Sequence, residues 1–173
     1  GLALEARAAG RLEEARRYSS KVTARATPFT KWKCEPWTPG SRPLRVGLVS
    51  GDLCFHSVGL FLRDVLEHLD SAKVACIAYY NREEIDEYTL EIKRFCCEWN
   101  VVTTLNDAAL AQKIHDDRID ILLDLSGHTG RNRLAMFAWC PAPVQAAWLG
   151  FWASTGLSEI DYLLVDRTCV HED

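Results

Sequence analysis

From Leu44 onward the chain alternates short, nearly unbroken apolar runs with stretches whose apolar residues return at helical spacing. Leu44–Ser50 is apolar and ends in Ser-Gly-Asp, the pattern of a buried strand running into a loop. His56–Leu69 carries Val58, Leu62, Val65, Leu66 and Leu69 at the spacing of a helix. Val74–Tyr80 predicts a second strand, Ile85–Glu98 a helix and Val101–Thr103 a short third strand, and Asn106-Asp107 opens a helix over Ala108–Asp117. Ile119–Leu125 is the clearest strand of all. After it come Ser126–Gly130, a helix to about Ala138, a proline-bounded strand Val144–Trp148 and a last strand Tyr162–Val165. Apolar strands alternating with helices imply an α/β fold, a Rossmann-like parallel sheet with helices on both faces. Ligands of such sheets bind beyond the carboxyl ends of the strands, which selects the loops Ser50–Ser57, Ser126–Arg131 and Leu149–Gly156.

Upstream the pattern differs. Residues 2–26 are rich in Ala, Arg, Glu and Leu and read as helix. Gly10-Arg11-Leu12-Glu13-Glu14-Ala15, Tyr18 and Pro28 resemble the turn and second helix of a tetratricopeptide repeat; an amphipathic helix packed on the next domain fits equally well. Pro36–Pro43 reads as a linker. The expected organisation is a helical segment over 1–35, a linker over 36–43 and a Rossmann-like lobe over 44–173. Charge breaks at the same place: residues 1–44 hold nine basic and four acidic groups, the remainder eleven and twenty. The net charge of −4 argues against a nucleic-acid partner. The longest apolar stretch, Leu134–Ala153, is broken by Pro141, Pro143, Gln145 and Gly150, so no membrane partner is expected. Seven cysteines without any C-x-x-C spacing suggest reduced thiols in a cytoplasmic setting, with neither a metal nor another cofactor. Val170–Asp173 follow a strand-like run with no closing element, as in a piece of a longer protein.

Asp52 and His56 lie four apart at a helix entrance, where a carboxylate and a neutral imidazole can accept a proton or hold a polar ligand. The plainer alternative is that Asp52 or Ser57 caps the helix. His128, between Gly127 and Thr129, stands where the backbone can approach a ligand closely; it can equally be a turn histidine bonded to backbone. His68 and His115 fall on polar helix faces and read as solvated. Leu149–Gly156 could hold a phosphate or a flat ring, or be a packed turn. No dinucleotide fingerprint, phosphate-binding P-loop, serine elbow or H-E-x-x-H motif is present.

Three blocks together resemble a known family. Leu44–Asp52 with His56-Ser57-Val58-Gly59 is similar to the opening of the catalytic region of the O-linked N-acetylglucosamine transferases, Spindly-like proteins included. Asp120–Thr129 with Asn132-Arg133-Leu134 resembles a second block, and Pro141–Gly150 with Ser154-Thr155-Gly156 and Asp161-Tyr162 a third, in family order. The resemblance implies a two-lobed glycosyltransferase with the nucleotide sugar between Rossmann-like lobes, tetratricopeptide repeats in front, and here only the amino-terminal catalytic lobe. It implies inverting transfer of N-acetylglucosamine, or a related sugar, from a UDP-sugar donor to Ser/Thr hydroxyls of an acceptor protein, and an isolated fragment without activity. By residue match, Asp52 and His56 are catalytic, His128 and Thr129 lie near the donor, and Leu149 and Gly150 wall its pocket. Asp52, His56 and a substrate oxygen all remain candidates for the hydroxyl proton. The chain departs from the family at Phe151-Trp152, where Tyr-Pro is usual, and in the apolar Leu53-Cys54-Phe55. A non-catalytic interaction module with the same fold is the competing reading. An unrelated sugar-nucleotide enzyme is disfavoured by the missing glycine fingerprint.

Overall fold

The computed structural model describes residues 2–151 and 153–166. Strands β1 (Leu44–Ser50), β2 (Val74–Tyr80), β3 (Glu98–Val101), β4 (Ile121–Asp124), β5 (Val144–Ala147) and β6 (Tyr162–Leu163) form one sheet in the order β3-β2-β1-β4-β5-β6. Every pairing is parallel, with Leu44–Ser50 of β1 alongside Val74–Tyr80 and Val46–Val49 alongside Ile121–Asp124. Parallel strands need long crossovers, and here helices supply most of them: α2 (Ser57–Glu67), α3 (Glu87–Arg94) and α4 (Asp107–Asp116). Helix α1 (Leu2–Thr23) precedes the sheet.

The apolar runs are continuous because both sheet faces are covered. Alternate residues Val49, Ile77, Tyr79 and Leu122 pack with Leu110 and Ile114 of α4, with Phe137, and with Tyr18 and Val22 of α1. Their neighbours Leu48, Cys76, Ala78, Tyr80 and Leu123 meet Val58, Leu62 and Leu66 of α2 and Ile92 of α3. Each large aliphatic side chain so buried contributes on the order of 1.5–3 kcal/mol. Among the described residues no helix is long and apolar enough to cross a membrane.

Several boundaries move from the sequence expectation. Helix α3 is shorter than Ile85–Glu98 at both ends: Asp86 caps its start, accepting from Thr89 N at 2.7 Å, and Phe95 closes it, donating its N–H to the Ile92 carbonyl at 3.1 Å. Strand β3 accordingly begins at Glu98 and ends at Val101. The stretch expected to be helical up to Ala138 is instead a 3-10 turn, Leu134–Trp139, that ends in the left-handed Cys140 (φ 48°). The last strand is only Tyr162–Leu163.

Residues 24–43 have almost no regular structure but are tied to the lobe. Phe29 stacks on His115 with ring centroids 4.1 Å apart, His115 Nε2 donates to the Lys31 carbonyl at 2.9 Å, and Lys33 pairs with Asp116. His115 is therefore buried, at 8% exposure, which corrects its reading as a solvated histidine; the covering chain arrives from 84 residues upstream. His68 is exposed, as read. Arg42 binds both carboxylate oxygens of Asp120, at 2.6 and 2.7 Å. Burial pushes the Asp120 carboxyl up, but Arg42 and the Arg45 N–H outweigh it and hold that carboxyl below its ordinary range. The six cysteines among the described residues form no disulfide; burial pushes the Cys76 thiol up to about 11 and Cys96 to about 12. Cys169, His171 and Trp152 lie outside the described residues.

Candidate active site

In this strand order the chain moves outward from β1 on one side and resumes at β4 on the other. The turns after β1 and β4 therefore diverge, and it is at this point of the carboxyl edge that sheets of this kind bind their ligands. Asp52 and His56 follow β1, His128 and Thr129 follow β4, and Leu149 and Gly150 follow β5. All six sequence-selected residues thus stand at one rim, on the ends of three adjacent strands.

Buried side chains hold the first turn from below. The Ser50 hydroxyl accepts from the Asp52 N–H at 2.9 Å, leaving the Asp52 side chain half-exposed. Leu53 is fully buried; Cys54 is buried too, and its Sγ accepts from Arg82 Nη1 at 3.3 Å. These apolar loop residues are core, while Phe55 stands 69% exposed and packs beside Tyr88. Phe55 N donates to Asp86 Oδ2 at 2.7 Å, so one carboxylate caps α3 and ties down this loop. Gly59, in the first turn of α2, sits so close that a Cβ there would stand 2.1 Å from the Cys54 carbonyl oxygen.

The cap of α2 is neither Asp52 nor Ser57 but His56, whose Nδ1 accepts from Val58 N at 3.3 Å. That bond assigns the proton of the neutral ring to Nε2. The exposed imidazole therefore offers an N–H donor at the rim, while the Asp52 carboxylate is an acceptor.

The second turn is built on a buried carboxylate. Asp124, 1% exposed, closes β4 and accepts from Ser126 N at 3.2 Å and Gly127 N at 2.8 Å. Burial pushes its carboxyl up to about 6, against the pull of those two N–H groups and of nearby His128. His128 Nε2 donates to the Thr155 carbonyl at 2.8 Å, and its ring meets Tyr18 of α1 and Phe151 edge-on at 5.0 and 5.4 Å. Thr129 is exposed, with its hydroxyl donating to the Ser126 carbonyl at 2.8 Å. In the third turn Leu149 is left-handed, with φ 62°, a sparsely populated conformation that costs roughly 1–3 kcal/mol. Gly150 follows where a Cβ would stand 1.8 Å from the Leu125 carbonyl oxygen, so the β4 and β5 ends touch backbone to backbone. A cavity of about 460 Å³ opens beside this rim, walled by Tyr18, His128, Phe151 and Ser154.

Sequence reasoning missed the supports beneath the rim. Arg133, almost wholly buried, donates to Asp107, to the Leu105 and Val102 carbonyls and to Asn81. Asn81 in turn donates to the Arg131 carbonyl at 2.9 Å, so the turn after β4 is clamped to the ends of β2 and β3. The one available signal was Asp124 itself, a charge closing an otherwise apolar strand. Among the described residues no group of three or more His, Cys, Asp or Glu is placed to hold a metal ion.

Comparison with known proteins agrees with the resemblance. The family model described as Glycosyl transferase family 41 matches residues 15–171. A barley (Hordeum vulgare) protein named a probable UDP-N-acetylglucosamine–peptide N-acetylglucosaminyltransferase SPINDLY is 36% identical over 129 residues, covering 72% of this chain and 14% of its own length. Its Arabidopsis thaliana counterpart is 32% identical over 142 residues, covering 80% and 15%. The solved structure of a mutant O-GlcNAc transferase from Thermobaculum terrenum superposes with a TM-score of 0.83 at 38% identity, over 91% of this chain and 30% of that one. The chain thus spans about one-seventh of the curated relatives it matches (14%).

Proposed function

Because the chain belongs to glycosyl transferase family 41, we propose that it forms one wall of a nucleotide-sugar crevice in a protein O-glycosyltransferase. The reaction is inverting transfer of N-acetylglucosamine, or a related sugar, from a UDP-sugar to a Ser or Thr hydroxyl. What supports this reading is the rim: Asp52, His128 and Leu149 follow three adjacent parallel strands at a topological switch point, and all three lie in the family match.

In the transfer the acceptor oxygen attacks the anomeric carbon. The bond from that carbon to the diphosphate breaks, the leaving UDP keeps the electron pair, and the hydroxyl proton passes to a base. With Nδ1 of His56 held by Val58 N, the histidine suits donation to an oxygen through Nε2–H. That leaves Asp52 or a substrate oxygen to accept the proton. His128 and Thr129 lie on the donor side, with Leu149 and Gly150 as the pocket wall, and the leaving diphosphate is stabilised without a metal cofactor. A chain with one wall of the crevice is expected to show no turnover alone.

The test is sugar transfer to a serine peptide by the full-length polypeptide. Asp52→Asn and His56→Ala should each lower turnover by about 100-fold, the scale of lost acid–base assistance, with thermal unfolding unchanged in Asp52→Asn and lowered in His56→Ala only by the lost cap of α2, about 1 kcal/mol. Unaltered turnover in both would remove the assignment.

A further inference from the structure

Two turns that must act on one substrate pair leave different strands, yet a buried string of hydrogen bonds joins them. The Asp124 carboxylate accepts from Ser126 N and Gly127 N, and the Ser126 hydroxyl lies 3.1 Å from that of Ser50. Ser50 Oγ then accepts from the Asp52 N–H at 2.9 Å. Asp124, Ser126 and Ser50 are each 1% exposed, so water does not compete for these bonds. Ser50 and Asp124 are the last residues of neighbouring strands, with Val49 level with Asp124 in the register. The string therefore ties the two strand ends together at the point where the turns diverge.

We propose that Asp124, Ser126 and Ser50 are positioning residues that hold the Asp52–His56 turn and the His128–Thr129 turn in one fixed relation. The inference deepens, and rests on, the glycosyltransferase reading above; none of the three is assigned contact with substrate. The buried carboxylate sets the conformation of residues 126–127. Ser126 presents its hydroxyl to Ser50 only in that conformation. Ser50, with one of its hydrogen bonds committed to Ser126, is then oriented to receive the Asp52 N–H. A fault at Asp124 is felt at Asp52, which it does not touch. Such a network is stiff when every member is satisfied, and costly when one is missing.

Amide hydrogen exchange on Asp124→Asn and Ser126→Ala provides the test, read in segments 50–56, 126–131 and 74–80. At pH 5, where the wild type keeps most of its advantage, Asp124→Asn should speed exchange about tenfold in both turns, and Ser126→Ala should do so in 50–56, with β2 unchanged as proof of an intact fold. Acceleration confined to 126–131 would overturn the relay. Should Asp124→Asn fail to fold, Ser126→Ala decides alone, because it deletes one oxygen and leaves both backbone bonds to Asp124. In the full-length polypeptide, Ser126→Ala should lower kcat about tenfold while the KM for UDP-sugar stays within about twofold. Undiminished kcat alongside loosened turns would refute the positioning role. If the unaltered polypeptide transfers no sugar, the glycosyltransferase reading falls, and exchange still decides the relay.

Discussion

Ionising Asp124 should cost this protein stability as pH rises, the reverse of what most of its perturbed carboxylates do. Its folded carboxyl is pushed up to about 6 by burial, against an unfolded value near 3.9. A group raised on folding contributes stability that is fully present below the unfolded pKa and lost as pH climbs through the folded one. A displacement of about two pH units corresponds to about 3 kcal/mol, lost mostly between pH 4 and 6. Asn at this position cannot ionise. Its amide oxygen can take one of the two N–H groups, while its NH2 confronts the other, a pH-independent penalty of roughly 1–3 kcal/mol. The groups near Asp124 are His128 of its own turn and Tyr18 of α1, while β1 and β5 place uncharged Val49, Ser50 and Ala147 beside it. Urea unfolding of wild type and Asp124→Asn between pH 3.5 and 7.5 isolates the term, because other titrations cancel in the difference. The wild type's advantage should shrink by about 3 kcal/mol across that range. A difference that is flat, or that widens with pH, would refute the claim that burial outweighs the two N–H bonds.

Asp120 should behave oppositely. Arg42 and the Arg45 N–H hold its folded carboxyl low, so its contribution is present above the unfolded value near 3.9 and lost on acidification. Asp120→Asn should destabilise by about 1–2 kcal/mol at pH 7, since it breaks a partly buried, two-pronged ion pair, with the deficit narrowing below pH 4; urea titration at about pH 7 and pH 3.5 checks this. Gly150→Ala should cost about 3 kcal/mol or prevent folding, because its Cβ would stand 1.8 Å from a carbonyl oxygen that cannot yield without moving β4. A midpoint of thermal unfolding within a degree of wild type would contradict that contact.

Much of this architecture is local and therefore readable along the chain. Six apolar runs too short for helices, with helical spacing between most of them, demand strands covered on both sides, hence a parallel sheet and a rim where its ligand loops gather. Asp52, His56, His128 and Leu149 could be placed at that rim because a loop's position follows from the strand before it. The boundaries around β3 were less legible. There Asp86 fixes where α3 starts, the helix closes at Phe95, and Glu98 pairs with Ile77, choices made by capping and register rather than periodicity. Nor could spacing show that His56 spends Nδ1 on capping α2, since a histidine and a serine are side by side at the helix start.

What only tertiary structure decided is which polar groups lose water. His115 stands four residues after Ala111, at the edge of the buried stripe of α4, and only Phe29 and the Lys31 carbonyl, 84 residues before it in the latter case, close over it. Asp124 ends its strand like many surface aspartates, and only the turns packed over the sheet edge raise its pKa and confine it to Ser126 and Gly127. Periodicity is written by neighbours within a few residues, so the chain declares its strands and helices. Desolvation is set by every atom within a few ångströms, whatever its place in the chain, and so it exists only once the fold has brought those atoms together.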